Sequence, residues 1–233
     1  MELLNGLQYL SALDALALAL FFVGWIVVGW YVENPRKNHP SVSVLMEEYR
    51  RDWMRNHVTR NPRVFDAMIL GNLRNGITFF ASGCMLAIGG VLALLGNTDP
   101  LLGVAADLSL DSAPKIVWEL KLLFLILMLT SSFLKFVWSH RLFGYASVLM
   151  GAIPNDESDS KSFDRAELTA RVTNNASRNF NRGLRALYFS MASLAWLLGS
   201  IPLLVAVVVT ISVVWRREFA SLSRGHLIAG TKS

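Results

Sequence analysis

The sequence predicts an all-α polytopic membrane protein: four transmembrane helices, with amphipathic cytoplasmic helices in two long loops. Three observations carry this. Of 233 residues, 53% are hydrophobic and 17% charged, against about 25% charged in soluble domains, and the mean hydropathy is +0.42. Four stretches meet the requirement of roughly 20 mostly apolar residues for crossing a hydrocarbon core about 30 Å thick. Finally, 19 of the 22 Lys and Arg lie outside those stretches.

The first span covers about 12–32 and is interrupted only by Asp14; Trp25, Trp30 and Tyr31 crowd its end as interfacial aromatics do. Residues 1–11 contain Glu2 and no Lys or Arg, unlike a cleavable signal, so this span is expected to be retained. The second span, about 77–96, has no charge. The third, about 116–138, includes Glu119, Lys121 and Lys135. The fourth, about 184–215, is broken by Gly199, Ser200 and Pro202. Two separate spans there would each be too short, so one helix kinked at Pro202 is predicted, reaching about 48 Å.

Basic residues give the orientation. Loop 33–76 contains eight Lys and Arg, and seven more run from Arg141 to Arg185. Loop 97–115 sets Lys115 against Asp99, Asp107 and Asp111. The positive-inside rule then puts loops 33–76 and 139–183 in the cytoplasm and both termini outside. The tail disagrees, because Arg216, Arg217, Arg224 and Lys232 would lie outside as well. The formal net charge of +5 is thus mostly a topological signal, available to anionic headgroups, and no nucleic-acid footprint.

Both long loops show helical order. Val42, Leu45, Met46, Tyr49 and Trp53 recur at helical spacing behind a start at Pro40 and Ser41. Glu47 stands four residues before Arg51, which supports the same helix. The stretch 154–162 is polar and expected to be mobile. After it, Leu168, Val172, Ala176 and Phe180 repeat every four residues and lead into the fourth span. The many amides of that helix need partners or water. Two polar collars enter the membrane from this side. One contains Arg74 and Asn75; the other contains Asn179 and Arg182, and Arg141 stands with them at a cytoplasmic mouth.

Chemistry is sparse. His39, His57, His140 and His226 all lie outside span interiors, so no pair is placed for a membrane haem. Cys84 is the single cysteine and is read as a packing residue; no disulfide framework or multi-cysteine metal site is open to the chain. No zinc spacing, phosphate loop or nucleophile–His–Asp order appears, so no catalytic residue, cofactor or metal is assigned. Glu47, Asp52, His57 and Asp66 are the candidates for a lipid enzyme, more simply read as a solvated helix face. Within the third span, Ser131, Lys135 and Ser139 are spaced by four, with Ser132 beside them. They either line a water-filled path for an anion or a proton, or Lys135 snorkels to the surface. Glu119 and Lys121 near the other end are charges of the same kind. Gly24 and Gly29, and Gly83, Ala87 and Gly90, permit close helix approach. No internal repeat supports an inverted-repeat transporter.

Several runs carry a family likeness: EYRRDWM (Glu48 to Met54), then Arg63 and Asp66, FFASGCMLAIGG (Phe79 to Gly90), ELK (Glu119 to Lys121), FLKFVWSHR (Phe133 to Arg141), FNRGLRALYF (Phe180 to Phe189) and RREF (Arg216 to Phe219). With them the chain resembles domain-of-unknown-function family 599 over nearly its whole length. The resemblance implies a four-span protein of the bacterial inner membrane, with relatives in plants, and supplies no activity or catalytic residues. The function expected is an oligomeric pore or transporter-like protein for a small polar or anionic solute. The alternative is an accessory or assembly subunit packed against a larger membrane complex.

Overall fold

A computed structural model describes residues 7–99, 103 and 114–230; Asp107, Asp111 and Lys232 of the charge argument lie outside them. The described chain forms α1 (Ala12–Glu33), α2 (Val42–Thr59), α3 (Val64–Gly96), α4 (Lys115–Gly151), α5 (Lys161–Leu194), a 3-10 turn (Ala195–Leu198), α6 (Ser200–Phe219) and α7 (Leu222–Gly230), with no strand among the described residues. Four stretches are long and apolar enough to cross a membrane: Ala12–Glu33, Val64–Gly96, Lys115–Gly151 and Ser200–Gly230. This is a multi-pass, all-α membrane protein. At 1.5 Å per residue α3 and α4 reach about 50 and 55 Å, so each outruns the hydrocarbon core and carries parts of the expected loops as helix.

The helices feed two compact units. The apolar unit holds Met1–Trp30, Gly83–Ser132 and Leu184–Trp215; the basic unit holds Tyr31–Ser82, Phe133–Gly183 and Arg216–Ser233. Among the described residues, every Lys and Arg except Lys115, Lys121 and Arg185 belongs to the basic unit.

In the apolar unit, α1 begins with a reciprocal cap. Asp14 N donates to Ser11 Oγ at 3.1 Å, and Ser11 N donates to Asp14 Oδ2 at 3.0 Å. The other oxygen of Asp14 accepts Trp196 Nε1 at 2.7 Å and Ser200 Oγ at 2.6 Å. Asp14 is therefore no interruption of the span but the fastening of a hairpin. Gly199 turns that hairpin at φ 123°, a left-handed conformation that suits glycine. Pro202 falls in the first turn of α6, where the missing N–H would have no helical partner.

The neighbours along α1 give the direction of each arm. The hairpin tip, Trp196 and Ser200, meets Asp14 at the start of α1, and Gly24 lies against Val207 and Ile211 of α6. On the other arm, Gly29 faces Arg185 of α5. So α6 runs parallel to α1 and α5 runs antiparallel to both.

The predicted single helix with a kink at Pro202 is therefore corrected: the chain reverses there. Hydropathy hid the first arm because it needs little lipid affinity. Ala186, Phe189, Ser190, Ala192, Ser193 and Trp196 are buried in protein, and Ser190 Oγ donates to Ala186 O at 2.8 Å. Phe21 packs edge-on against Phe124 and Phe189, each at 5.3 Å, and Phe124 against Trp196 at 5.6 Å. A second apolar cluster joins Val91 of α3 to Leu122, Leu125 and Leu129 of α4.

In the basic unit, Phe80 of α3, Phe136 of α4 and Phe180 of α5 form a triangle of rings 5.6–5.8 Å apart. Gly183 lets the Phe136 ring in, since a Cβ there would stand 2.7 Å from Cε1 and 2.8 Å from Cδ1. Ser41 caps α2 by accepting from Val44 N, and its hydroxyl donates to Val32 O at 2.7 Å, so one side chain ends α1 and starts α2. The buried stripe of α5 is Ala166, Ala170, Thr173 and Ser177. The predicted stripe fits less well, because Leu168 is 48% exposed. Thr169 and Thr173 hydroxyls bond the carbonyls four residues back, at 2.7 and 2.8 Å, and so bury almost as apolar groups.

The stretch 154–162 contains hydrogen-bonded turns. Asp156 accepts Ser158 Oγ and N at 2.7 and 2.9 Å, and these bonds hold its carboxyl below the ordinary range.

The tail packs within the basic unit too. Arg224 Nε donates to Pro40 O at 2.8 Å, Tyr49 Oη to Leu227 O at 3.2 Å, and Ser43 N and Oγ to Glu218 at 3.1 and 2.9 Å. These bonds hold the tail beside loop 33–76 within the basic unit, which differs from the expectation of a C-terminus opposite the basic loops.

Two outcomes follow. Reporters fused after Gly230 and inserted in loop 33–76 score on one face of the membrane, and a reporter at the N-terminus on the other. Gly183→Ala destabilises by about 1–3 kcal/mol in thermal unfolding from detergent, because a rigid ring must move. Gly24→Ala meets only the end of the Ile211 side chain at 2.7 Å and lowers the unfolding temperature far less.

Candidate functional site

The third-span residues take different surroundings. Ser139 is fully buried and its Oγ donates to Ala176 O at 2.7 Å, which makes it a packing contact between α4 and α5. Ser132 is buried and accepts the Cys84 thiol at 3.8 Å, so Cys84 does pack as expected. Ser131 and Lys135 are half-buried beside this face, each with partners of its own. Glu119 meets Lys115 at 3.9 Å, one turn away. Lys121 lies over the rings of Trp118 at 5.2 Å and Trp196 at 5.8 Å.

No hydrogen bond joins the residues of the expected mouth to one another among the described residues. Arg182 grips Glu33 with both ends of its guanidinium, Nε at 2.8 Å from Oε1, and that bond raises the Arg182 pKa. Asn179 bonds within α5, to Asn175 O at 2.9 Å. Arg141 is exposed and stacks on Trp138 and Tyr145. Asn75 is exposed on α3. Arg74 Nε is buried without a hydrogen-bond partner among the described residues.

The amides of α5 do find partners: Asn174 accepts Arg50 Nη1 at 3.2 Å and donates to Glu47 O at 3.0 Å, and Asn181 donates to Ser43 Oγ at 3.2 Å. Burial lowers the Arg50 pKa, against the raising effect of Glu47.

The strongest cluster sits where α2 ends and α3 begins. Asp66 is fully buried in the first turn of α3. Its Oδ1 accepts Trp53 Nε1 at 2.6 Å and Arg60 Nη1, and its Oδ2 lies 2.7 Å from His57 Nδ1. A carboxylate only accepts, so Nδ1 carries the bonding proton and Nε2 remains as the other ring nitrogen. His57 is 2% exposed, and its Nε2 is buried without a partner among the described residues.

The reading of His57 and Asp66 as a solvated helix face is thereby overturned, although Asp52 stays at the surface beside Arg55 and Glu47 pairs with Arg178 at 2.8 Å. The spacing Trp53, His57, Arg60, with Asp66 after a short loop, was the available signal: one helix face turned toward one acid. Both ring nitrogens of His57 are thus enclosed, one of them bonded to Asp66. Among the described residues no three His, Cys, Asp or Glu are grouped to hold a metal.

Beside the cluster a cavity of about 510 Å³ opens, lined among others by Arg60, Asn61, Arg63, Asn155 and Glu157. Arg63 is fixed by four oxygens: Ile153 O at 2.9 Å, Asn155 Oδ1 at 3.0 Å, and Val58 O and Pro154 O at 2.8 Å. It ties the loop after α2 to the loop after α4.

Asp66→Asn removes the charge that three donors share. It destabilises the protein by about 2–4 kcal/mol, somewhat below the figure for a fully enclosed pair because Arg60 is partly exposed. Thermal unfolding measures this, and the quenching environment of Trp53 changes with it in fluorescence.

The model for "Protein of unknown function, DUF599" matches residues 16–223. No curated protein matches the chain. No solved structure matches it. The segments that carry the family likeness also supply Trp53, Arg182 and Trp196's neighbours in the core, and on that match over most of its length the chain belongs to family DUF599.

Proposed function

We propose that this protein is an accessory or assembly subunit of the bacterial inner membrane, which joins other membrane helices through α3. One observation carries the reading: only 11% of the apolar window of α3 is buried within the chain, against 33% for α4. The exposed face of α3 repeats Gly76, Gly83 and Gly90 at intervals of seven, with Phe79 and Leu86 between them. Nothing lies within 4 Å of a Cβ at any of those three glycines. Glycines on one face allow two backbones to approach, and large side chains between them fill the partner's gaps. Ala87, in contrast, turns inward against Val91 and the leucines of α4. The same reading fits polar span residues that serve packing within the chain, such as Ser139 and Asp14.

In this reading the basic unit faces the cytoplasm, where its Lys and Arg meet anionic headgroups, and the N-terminus is periplasmic. The partner is a second copy or a larger membrane complex. An oligomeric pore for a small polar or anionic solute is the second reading, favoured by the half-buried Lys135. Its test is flux in reconstituted vesicles, which Lys135→Met changes if a path runs along that side chain.

Native mass spectrometry from mild detergent tests the docking role. The wild type is expected as a stable oligomer or in a stoichiometric complex. Gly83→Leu and Gly90→Leu each weaken that association by about tenfold or more, equivalent to 1.4 kcal/mol, while the monomer's unfolding temperature is kept. A wild-type chain that runs only as a lone monomer, or an association indifferent to both substitutions, overturns the reading.

A further inference from the structure

The cavity beside Asp66 carries charges of both signs that the fold does not use up. Arg63 has its four terminal N–H bonds committed to carbonyl and amide oxygens and no carboxylate within ion-pair distance among the described residues. It therefore stands as a fixed, uncompensated positive charge. Arg60 gives Nη1 to Asp66 and its guanidinium lies 5.4 Å over the Phe65 ring; its Nε and Nη2 make no hydrogen bond among the described residues, and its side chain is 31% exposed. Asn61 and Asn155 add amide donors to the same wall, since only Oδ1 of Asn155 is taken by Arg63. Against these donors, Glu157 lines the cavity with an exposed carboxylate that pairs with no cation among the described residues.

A plain anion entering this cavity meets the guanidiniums and is repelled by Glu157. A plain cation meets the reverse. A molecule bearing both groups satisfies each wall at once, and charge-assisted bonds to guanidinium and carboxylate are the stronger kind.

We propose that this cavity binds a small zwitterion of the phosphoethanolamine class, with its phosphoryl oxygens toward Arg60, Asn61 and Asn155 in the field of Arg63, and its ammonium on Glu157. The volume of about 510 Å³ accommodates such a headgroup with water around it. The ligand is either a free ester or the headgroup of an ethanolamine lipid, for the recognised chemistry is the same. This site is independent of the docking role of α3.

Isothermal titration of the full chain in detergent, with O-phosphoethanolamine, inorganic phosphate and ethanolamine as separate probes, tests the proposal. Saturable binding of phosphoethanolamine, about tenfold tighter than either half-molecule, is expected. Glu157→Gln, which removes no hydrogen bond of the fold, brings that affinity down to the level of inorganic phosphate. Equal affinity for inorganic phosphate, no saturation by any probe, or indifference to Glu157→Gln overturns it. Nanodiscs distinguish the sources once binding is seen. In phosphatidylethanolamine discs a lipid occupant competes with the free ester and weakens its apparent affinity, relative to phosphatidylglycerol discs. An unchanged affinity identifies the free ester.

Discussion

A helix rich in Ser, Thr, Asn and Arg cannot present itself to hydrocarbon, and α5 is such a helix over most of its length. Its burial is the constraint from which much else follows. In the basic unit it takes α2 as a cover, with Arg178, Asn174 and Asn181 bonded to Glu47, Arg50 and Ser43. Its small buried residues allow close approach, and Gly183 admits the Phe136 ring. In the apolar unit its last turns are wrapped by α1, α4 and α6 through Phe21, Phe124 and Leu203. Hydroxyls that bond their own helix complete the burial without leaving lone donors.

Two carboxylates do comparable work, one in each unit. Asp14 lies in the first turn of α1 and Asp66 in the first turn of α3, where the helix dipole favours a negative charge. Each accepts an indole N–H from another element, Trp196 in one case and Trp53 in the other. Each also takes further donors that lie close to a change of chain direction. A carboxylate with several donors fixes the angle between two elements more narrowly than apolar packing alone, which tolerates sliding.

The spans of α1, α3 and α4 were legible because lipid-facing helices must be apolar, and residues such as Val23, Leu86 and Leu127 state this directly. The helices in the loops were legible from periodicity, and Ser41 capped where expected. Harder to see was the hairpin, since the segment before Gly199 is sheltered by protein and carries Arg185, Ser190 and Ser193 where a lipid-facing span would not. Leu168 misled for a related reason: size suggested burial, whereas Ala170 and Thr173 are the residues that fit. The enclosure of His57 and Asp66 was only half legible: the spacing of Trp53, His57 and Arg60 marks one face, but not that Asp66 lies buried against it. Lys135 and Ser139 share a helical register, but register alone does not distinguish a lining residue from a packing one.

The sheltered arm of the hairpin also bears on how the chain enters a membrane. Leu184 to Leu198 includes Arg185 and several hydroxyls, and a segment of that composition gains too little from hydrocarbon to remain there by itself. Ser200 to Phe219 is apolar enough to hold. The two therefore partition as a pair, the second carrying the first, and the earlier spans must already be in place to receive the polar face. The order of synthesis, in which α5 and α6 follow α1, α3 and α4, supplies that sequence of events.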